Sequence, residues 1–108
     1  MSDVTAVSQD TFAEEVLQAE LPTLVDLWAE WCAPCRMLSP VVENLAREQA
    51  GRLKVTKLDV QEHAALAAEY GVTTIPTLLL FVNGEVKERI TGYMPEARIM
   101  EKLGRHLA

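Results

Sequence analysis

The sequence predicts an α/β fold in which helices cover both faces of a central mixed five-stranded sheet. Three observations predict it. Thr23 to Trp28 is apolar on both sides apart from Asp26, the pattern of a strand buried between two layers. Thr77 to Val82 and Val86 to Thr91 flank Asn83-Gly84, two residues that tolerate the positive φ of a tight hairpin turn, so those strands are antiparallel. Between the strands, apolar positions recur at helical spacing. With 108 residues the chain has room for one core, and a single domain over 1–108 is expected.

Each element has a local reason. Val4 to Val7 is read as a short first strand. Asp10 to Ala19 reads as a helix with Asp10 as candidate cap and Phe12, Val16 and Leu17 on one face; Pro22 ends it. Leu38, Val41, Val42 and Leu45 mark a helix that starts near Cys32 and runs to Ala50, where Gly51 stops it. Pro40 lies inside and crowds the carbonyl of Arg36, so a kink is expected rather than two helices. Leu53 to Asp59 reads as a strand with Val55 and Lys57 on one side and Thr56 and Leu58 on the other. His63 to Tyr70 is a short helix closed by Gly71, and Pro95 to Leu107 a last amphipathic helix with Ile99, Leu103 and Leu107 in line. The order is βαβαβαββα.

Composition narrows the function. Hydrophobic residues make up 49% and charged residues 24%, as in an ordinary globule. Ten Lys and Arg against 16 Asp and Glu leave a net charge of −6, which opposes binding to nucleic acid or to an anionic membrane. The longest evident apolar run, Leu78 to Val82, is far short of the roughly 20 residues of a membrane-spanning helix. The N-terminal stretch MSDVTAVSQDTF has neither a basic segment nor an apolar one of the secretory kind, and a cytoplasmic location is expected.

Cysteine usage is the most informative feature. There are 2 cysteines, Cys32 and Cys35, which form no disulfide scaffold; in a reducing compartment such a pair points to redox chemistry or to a metal. A zinc site needs four ligands, and His63 and His106 lie too far apart in the chain to complete one, so no metal is expected; a cysteine pair that does the redox chemistry itself needs no bound cofactor. Cys32-Ala33-Pro34-Cys35 follows a predicted strand and opens a predicted helix. At that position residues three apart share a face and can close a disulfide. Pro34 lacks a donor that would be unpaired there anyway. The helix N-terminus favours a thiolate at Cys32, the expected nucleophile, while Cys35, one turn deeper, suits the resolving role.

Trp31-Cys32-Ala33-Pro34-Cys35, preceded by Leu24-Val25-Asp26-Leu27-Trp28-Ala29-Glu30 and followed by Ile75-Pro76-Thr77 and Asn83-Gly84, resembles the thioredoxin family, and within it the bacterial type. The resemblance runs from about Val4 to Ala108. It departs at Ala33 and Arg36, where the family's usual loop has Gly and Lys; Ala33 stiffens the loop, and Arg36 keeps a positive charge beside the thiolate.

The resemblance implies the thioredoxin fold and a protein-disulfide reductase that serves as a dithiol electron donor. A flavin- and NADPH-dependent thioredoxin reductase would regenerate it, and its clients would be disulfide-containing proteins such as ribonucleotide reductase, methionine sulfoxide reductases and peroxidases. A monomer is expected. Asp26, by pattern alone, is either at an exposed edge or buried at a cost of several kcal/mol unless paired or protonated. The resemblance implies burial beneath Cys35, with Asp26 as the proton partner of the resolving thiol through water and Lys57 as its charged neighbour. It also implies a cis bond before Pro76 facing the cysteines. The backbone of Ile75 would pair with a client strand, and Trp31, Ala33, Pro34, Ile75, Gly92 and Tyr93 would line the apolar docking patch.

The remaining candidates read as structural. Trp28 is expected in the core below the loop, Met37, Met94 and Met100 as packing without redox meaning, and Glu43, Glu48, Glu85 and Glu88 as solvated faces. Lys57 taken alone reads as an exposed strand lysine.

Overall fold

The structure, a computed structural model, describes residues 3–107; Met1, Ser2 and Ala108, which the expected domain also spans, lie outside the described residues. Five strands form one sheet: β1 (Thr5–Ala6), β2 (Thr23–Trp28), β3 (Lys54–Asp59), β4 (Thr77–Val82) and β5 (Glu85–Thr91), in the order β1-β3-β2-β4-β5. β3 runs parallel to both β1 and β2, whereas β4 is antiparallel to β2 and to β5. The helices are α1 (Ala33–Glu48), α2 (Ala64–Glu69) and α3 (Glu96–Leu103). The mixed five-stranded α/β architecture is the one the sequence predicts, and β2 is central, as its two-sided apolar pattern requires.

Strand alternation divides the core into two layers. Leu24, Val55, Leu78 and Leu80 meet Leu38, Val42 and Leu45 of α1 and Ile99 and Leu103 of α3. Val25, Leu27, Leu58, Leu79 and Phe81 meet Phe12, Val16, Leu66 and Ala67 on the other face. Asp26 shares the parity of Leu24 and so projects toward α1, as does Lys57, which shares that of Val55. The hairpin turn has the expected left-handed backbone, with φ of 53° at Asn83 and 80° at Gly84.

Several boundaries differ from expectation. The first helix contracts to a π-type turn, Ala13–Leu17, and Asp10 does not cap it. The Ser8 hydroxyl oxygen accepts the Asp10 and Thr11 amides at 3.2 Å each, while the Thr11 hydroxyl accepts the Ser8 amide at 2.9 Å, so the turn is organised one step earlier. Phe12 and Val16 are nonetheless buried, and Leu17 is half-buried. α1 continues through Pro40 as one helix and ends at Glu48, before Ala50. α3 gives way at Gly104 to a 3-10 turn, Gly104–His106, which still buries Leu107. The first strand is shorter than Val4 to Val7, although the Val7 amide donates to the Lys57 carbonyl at 2.9 Å.

The sheet margins are unlike one another. β1 is 2 residues long, whereas β5 spans 7 and is exposed except at Ile90 and half-buried Glu88. Glu88 is not a solvated carboxylate: its Oε1 lies 3.2 Å from His106 Nε2 and 3.4 Å from Arg105 Nη2, because the 3-10 turn folds back over β5.

Candidate active site

β2 ends at Trp28, and the loop through Ala29, Glu30 and Trp31 delivers Cys32 to the N-cap of α1. Cys32 is extended, at φ −90° and ψ 109°, and its Sγ accepts the Cys35 amide at 3.2 Å, taking the place an oxygen holds in most caps. Ala33 and Pro34 complete the first turn, where proline sacrifices no helical hydrogen bond. The turn brings the Cα atoms of Cys32 and Cys35 to 5.2 Å, and the two sulfurs are joined in a disulfide.

Depth does not distinguish the two cysteines: Cys32 and Cys35 are each 4% exposed, which corrects the expectation that Cys35 lies deeper than Cys32. Trp28, Val60 and Ile75 pack against the cluster that the pair forms with Ala29. What differs is their surroundings. Cys35 lines a cavity of about 120 Å³ together with Asp26, Trp28, Arg36, Ser39 and Lys57, and Cys32 does not. Such a volume has room for water molecules.

The alternatives left open for Asp26 are decided by the sheet. β2 has neighbours on both sides, so its carboxyl has no edge to escape to and is 6% exposed. Burial raises its pKa from 3.8 to about 7, with the positive charge of Lys57 opposing the rise. Asp26 and Lys57 are register partners on parallel strands. Lys57 is half-buried rather than exposed, with Nζ 5.7 Å from the centroid of the Trp28 ring. Asp26 Oδ1 and Trp28 Nε1 are buried without a protein hydrogen-bond partner, and both residues line the small cavity.

A wider open groove of about 740 Å³ adjoins it beside β1, β3 and the start of α2, and Trp28, Arg36 and Lys57 line both spaces. Arg36 reaches across, its Nη1 donating to the Glu30 carbonyl at 2.7 Å; sequence patterning carried no sign of this contact, which depends on how the loop folds back. His63 lines the groove, far from His106 on β5's side of the molecule. Among the described residues, no group of three or more His, Cys, Asp or Glu is placed to hold a metal ion.

The Ile75–Pro76 bond is cis. Pro76 is buried and its carbonyl accepts the Gly92 amide at 2.8 Å, which ties the two loops together; Gly92 has φ of +85°, a left-handed conformation that suits glycine. Of the residues assigned to docking, Trp31 is 63% and Tyr93 45% exposed, Ala33 and Pro34 are exposed, and Ile75 and Gly92 are half-buried. Met94 and Met100 pack against the core as expected, but Met37 does not: it is exposed on α1. The signal was present in the spacing, since Met37 follows Pro34 by three residues and Ala33 by four and so shares their outward face.

A vicinal cysteine pair at a helix start, set over a buried carboxyl in an α/β fold, defines a thiol–disulfide exchange protein. A family model described as Thioredoxin matches residues 3–105. Thioredoxin 1 of Nostoc sp. is 40% identical over 107 residues, covering 99% of this chain and 100% of its own length. Thioredoxin of Synechocystis sp. is 41% identical over 107 residues with the same coverage of both chains. The chloroplastic M-type thioredoxin of Pisum sativum is also 41% identical over 107 residues, with 99% of this chain and 62% of that protein covered. The chain belongs to the thioredoxin family. It is a thiol–disulfide oxidoreductase, a protein-disulfide reductase working through Cys32 and Cys35.

Proposed function

We propose that Cys32 is the attacking nucleophile, Cys35 the resolving thiol, Asp26 the proton acceptor and Lys57 the charge that keeps Asp26 ionisable near neutral pH. The observation that carries this division is the cavity that Asp26 shares with Cys35 and not with Cys32. The Cys32 thiolate, favoured at the helix N-terminus, attacks one sulfur of a client disulfide. The client S–S bond breaks, its other sulfur leaves as a thiolate that takes a proton from water, and a mixed disulfide remains. Cys35 then gives its proton to Asp26 through water in the cavity and attacks Cys32 Sγ. The second client sulfur departs with both electrons of the broken bond, and the Cys32–Cys35 disulfide is formed.

Trp31, Ala33, Pro34, Ile75, Pro76, Gly92 and Tyr93 form the docking surface in this reading. The Ile75 backbone supplies strand-like hydrogen bonds that accept many client sequences. An NADPH-dependent flavoprotein reductase returns the disulfide to the dithiol, and the protein works as a monomer in a reducing compartment such as the cytoplasm. The chemistry requires no cofactor beyond the cysteine pair.

Trapping tests the division of labour. Cys35→Ser accumulates a covalent mixed disulfide with insulin, seen on non-reducing gels, whereas Cys32→Ser accumulates none. Equal trapping by both variants overturns the assignment. NADPH consumption in the presence of a flavoprotein reductase and insulin checks regeneration, and its absence removes the reductase from the scheme.

A further inference from the structure

Met37 is 60% exposed, whereas the other described methionines, Met94 and Met100, pack against the core. Both cysteine sulfurs are buried and committed to a disulfide in this state. Met37 is therefore the most exposed sulfur-bearing residue among the described residues. Its position is specific as well as open: it sits one helical turn beyond Ala33 and Pro34 on their outward face. Met37 thus extends the apolar surface that begins at Trp31.

We propose that Met37 is a peroxide-oxidation site whose sulfoxide weakens client docking without touching the dithiol, an inference that rests on the docking surface proposed above. The thioether lone pair attacks one peroxide oxygen, an S–O bond forms and the O–O bond breaks. Sulfur is oxidised by two electrons, the peroxide is reduced, and its second oxygen leaves as hydroxide, which takes the proton of the transferred oxygen and departs as water. A flexible apolar side chain becomes a polar one at the rim of an apolar patch, so a client covering it must desolvate the new S=O group. Oxidation of the cysteine pair does not shield Met37. The protein would accordingly register oxidant twice, first at the disulfide and then at the surface that receives clients.

The test uses the full chain in its disulfide form, which protects the cysteines, treated with hydrogen peroxide and then reduced with dithiothreitol. Peptide mass spectrometry is expected to place one added oxygen on Met37 well before Met94 or Met100. The KM for insulin is expected to rise about three- to tenfold, with the rate on the small disulfide cystine unchanged, because cystine is too small to cover the α1 face. Met37→Leu, compared with itself before and after peroxide, shows no change in KM, while Met94→Leu/Met100→Leu still responds. Equal oxidation of the packed methionines, an unchanged KM after Met37 is oxidised, or equal losses on insulin and cystine overturns the proposal. Should untreated protein fail to reduce insulin, the proposed function falls, and the peptide masses still decide for or against Met37 as the oxidation site.

Discussion

Asp26 and Lys57 are register partners on β2 and β3, so their side chains leave the sheet on the same face and meet in the cavity beside Cys35. The pairing is lopsided. Desolvation of the carboxyl outweighs the attraction of the ammonium, and Asp26 titrates near neutrality.

A pH-dependent stability follows from that imbalance. Between pH 3.8 and about 7 the folded protein keeps a proton that the unfolded chain has released, so stability falls as pH rises through this window and levels off above it. The slope reaches about 1.4 kcal/mol per pH unit. Asp26→Ala removes the ionised buried group and is expected to be more stable than the parent by roughly 2–4 kcal/mol at about pH 8, with the advantage shrinking toward pH 4. Urea melts across that range measure it. A parent whose stability is flat with pH contradicts the burial account.

Lys57→Met removes the one influence that holds the Asp26 pKa down, so the carboxyl is expected to titrate above its parental value of about 7. Carboxyl-carbon NMR reads the titration directly. The pH profile for resolution of the mixed disulfide should move alkaline with it. A pKa that stays or falls in Lys57→Met dismisses the pair as an electrostatic unit.

The hairpin supplies a test of close packing. A Cβ on Gly84, at φ +80°, would stand 3.1 Å from the Leu17 carbonyl oxygen, whereas one on Gly51, at φ +87°, would meet nothing within 4 Å. Both substitutions to Ala incur left-handed strain of about 1–3 kcal/mol. Gly84→Ala is expected to be the more destabilising in thermal melts, since it alone must also displace backbone; equal losses show that the Leu17 contact yields freely.

Ser8, not Asp10, organises the first helical turn. Ser8→Ala should therefore lower stability by about 1 kcal/mol, and Asp10→Ala by much less. The reverse order in chemical denaturation would restore Asp10 as the cap.

These cases also mark where sequence reading succeeds and stops. Thr23–Trp28 and the Asn83-Gly84 turn were legible to the residue because a continuous apolar run and a φ-demanding dipeptide each admit one conformation. The Ser8 cap was not, since Ser8, Asp10 and Thr11 are all capable of capping and the choice depends on backbone placement. The cysteine motif was plain in four residues, but the expected difference in depth is absent: both cysteines are equally buried, and it is the N-cap position of Cys32 and the cavity that Cys35 shares with Asp26, Trp28 and Lys57 that set them apart. The Arg36 contact with Glu30 and the Glu88 pairing with His106 join segments whose approach no local pattern encodes.

The two margins of the sheet have a bearing on solubility. At one margin β1 offers 2 residues, too short a template for a foreign strand; at the other, β5 interleaves Glu85, Lys87, Glu88 and Arg89 along its length. An extended chain drifting against either rim finds little to zip onto. In the proposed reading, backbone recognition is left to the loop at Ile75, which packs beside the disulfide. A molecule proposed to pair with client strands through one loop is protected from pairing along its sheet margins by the brevity of one strand and the interleaved charges of another.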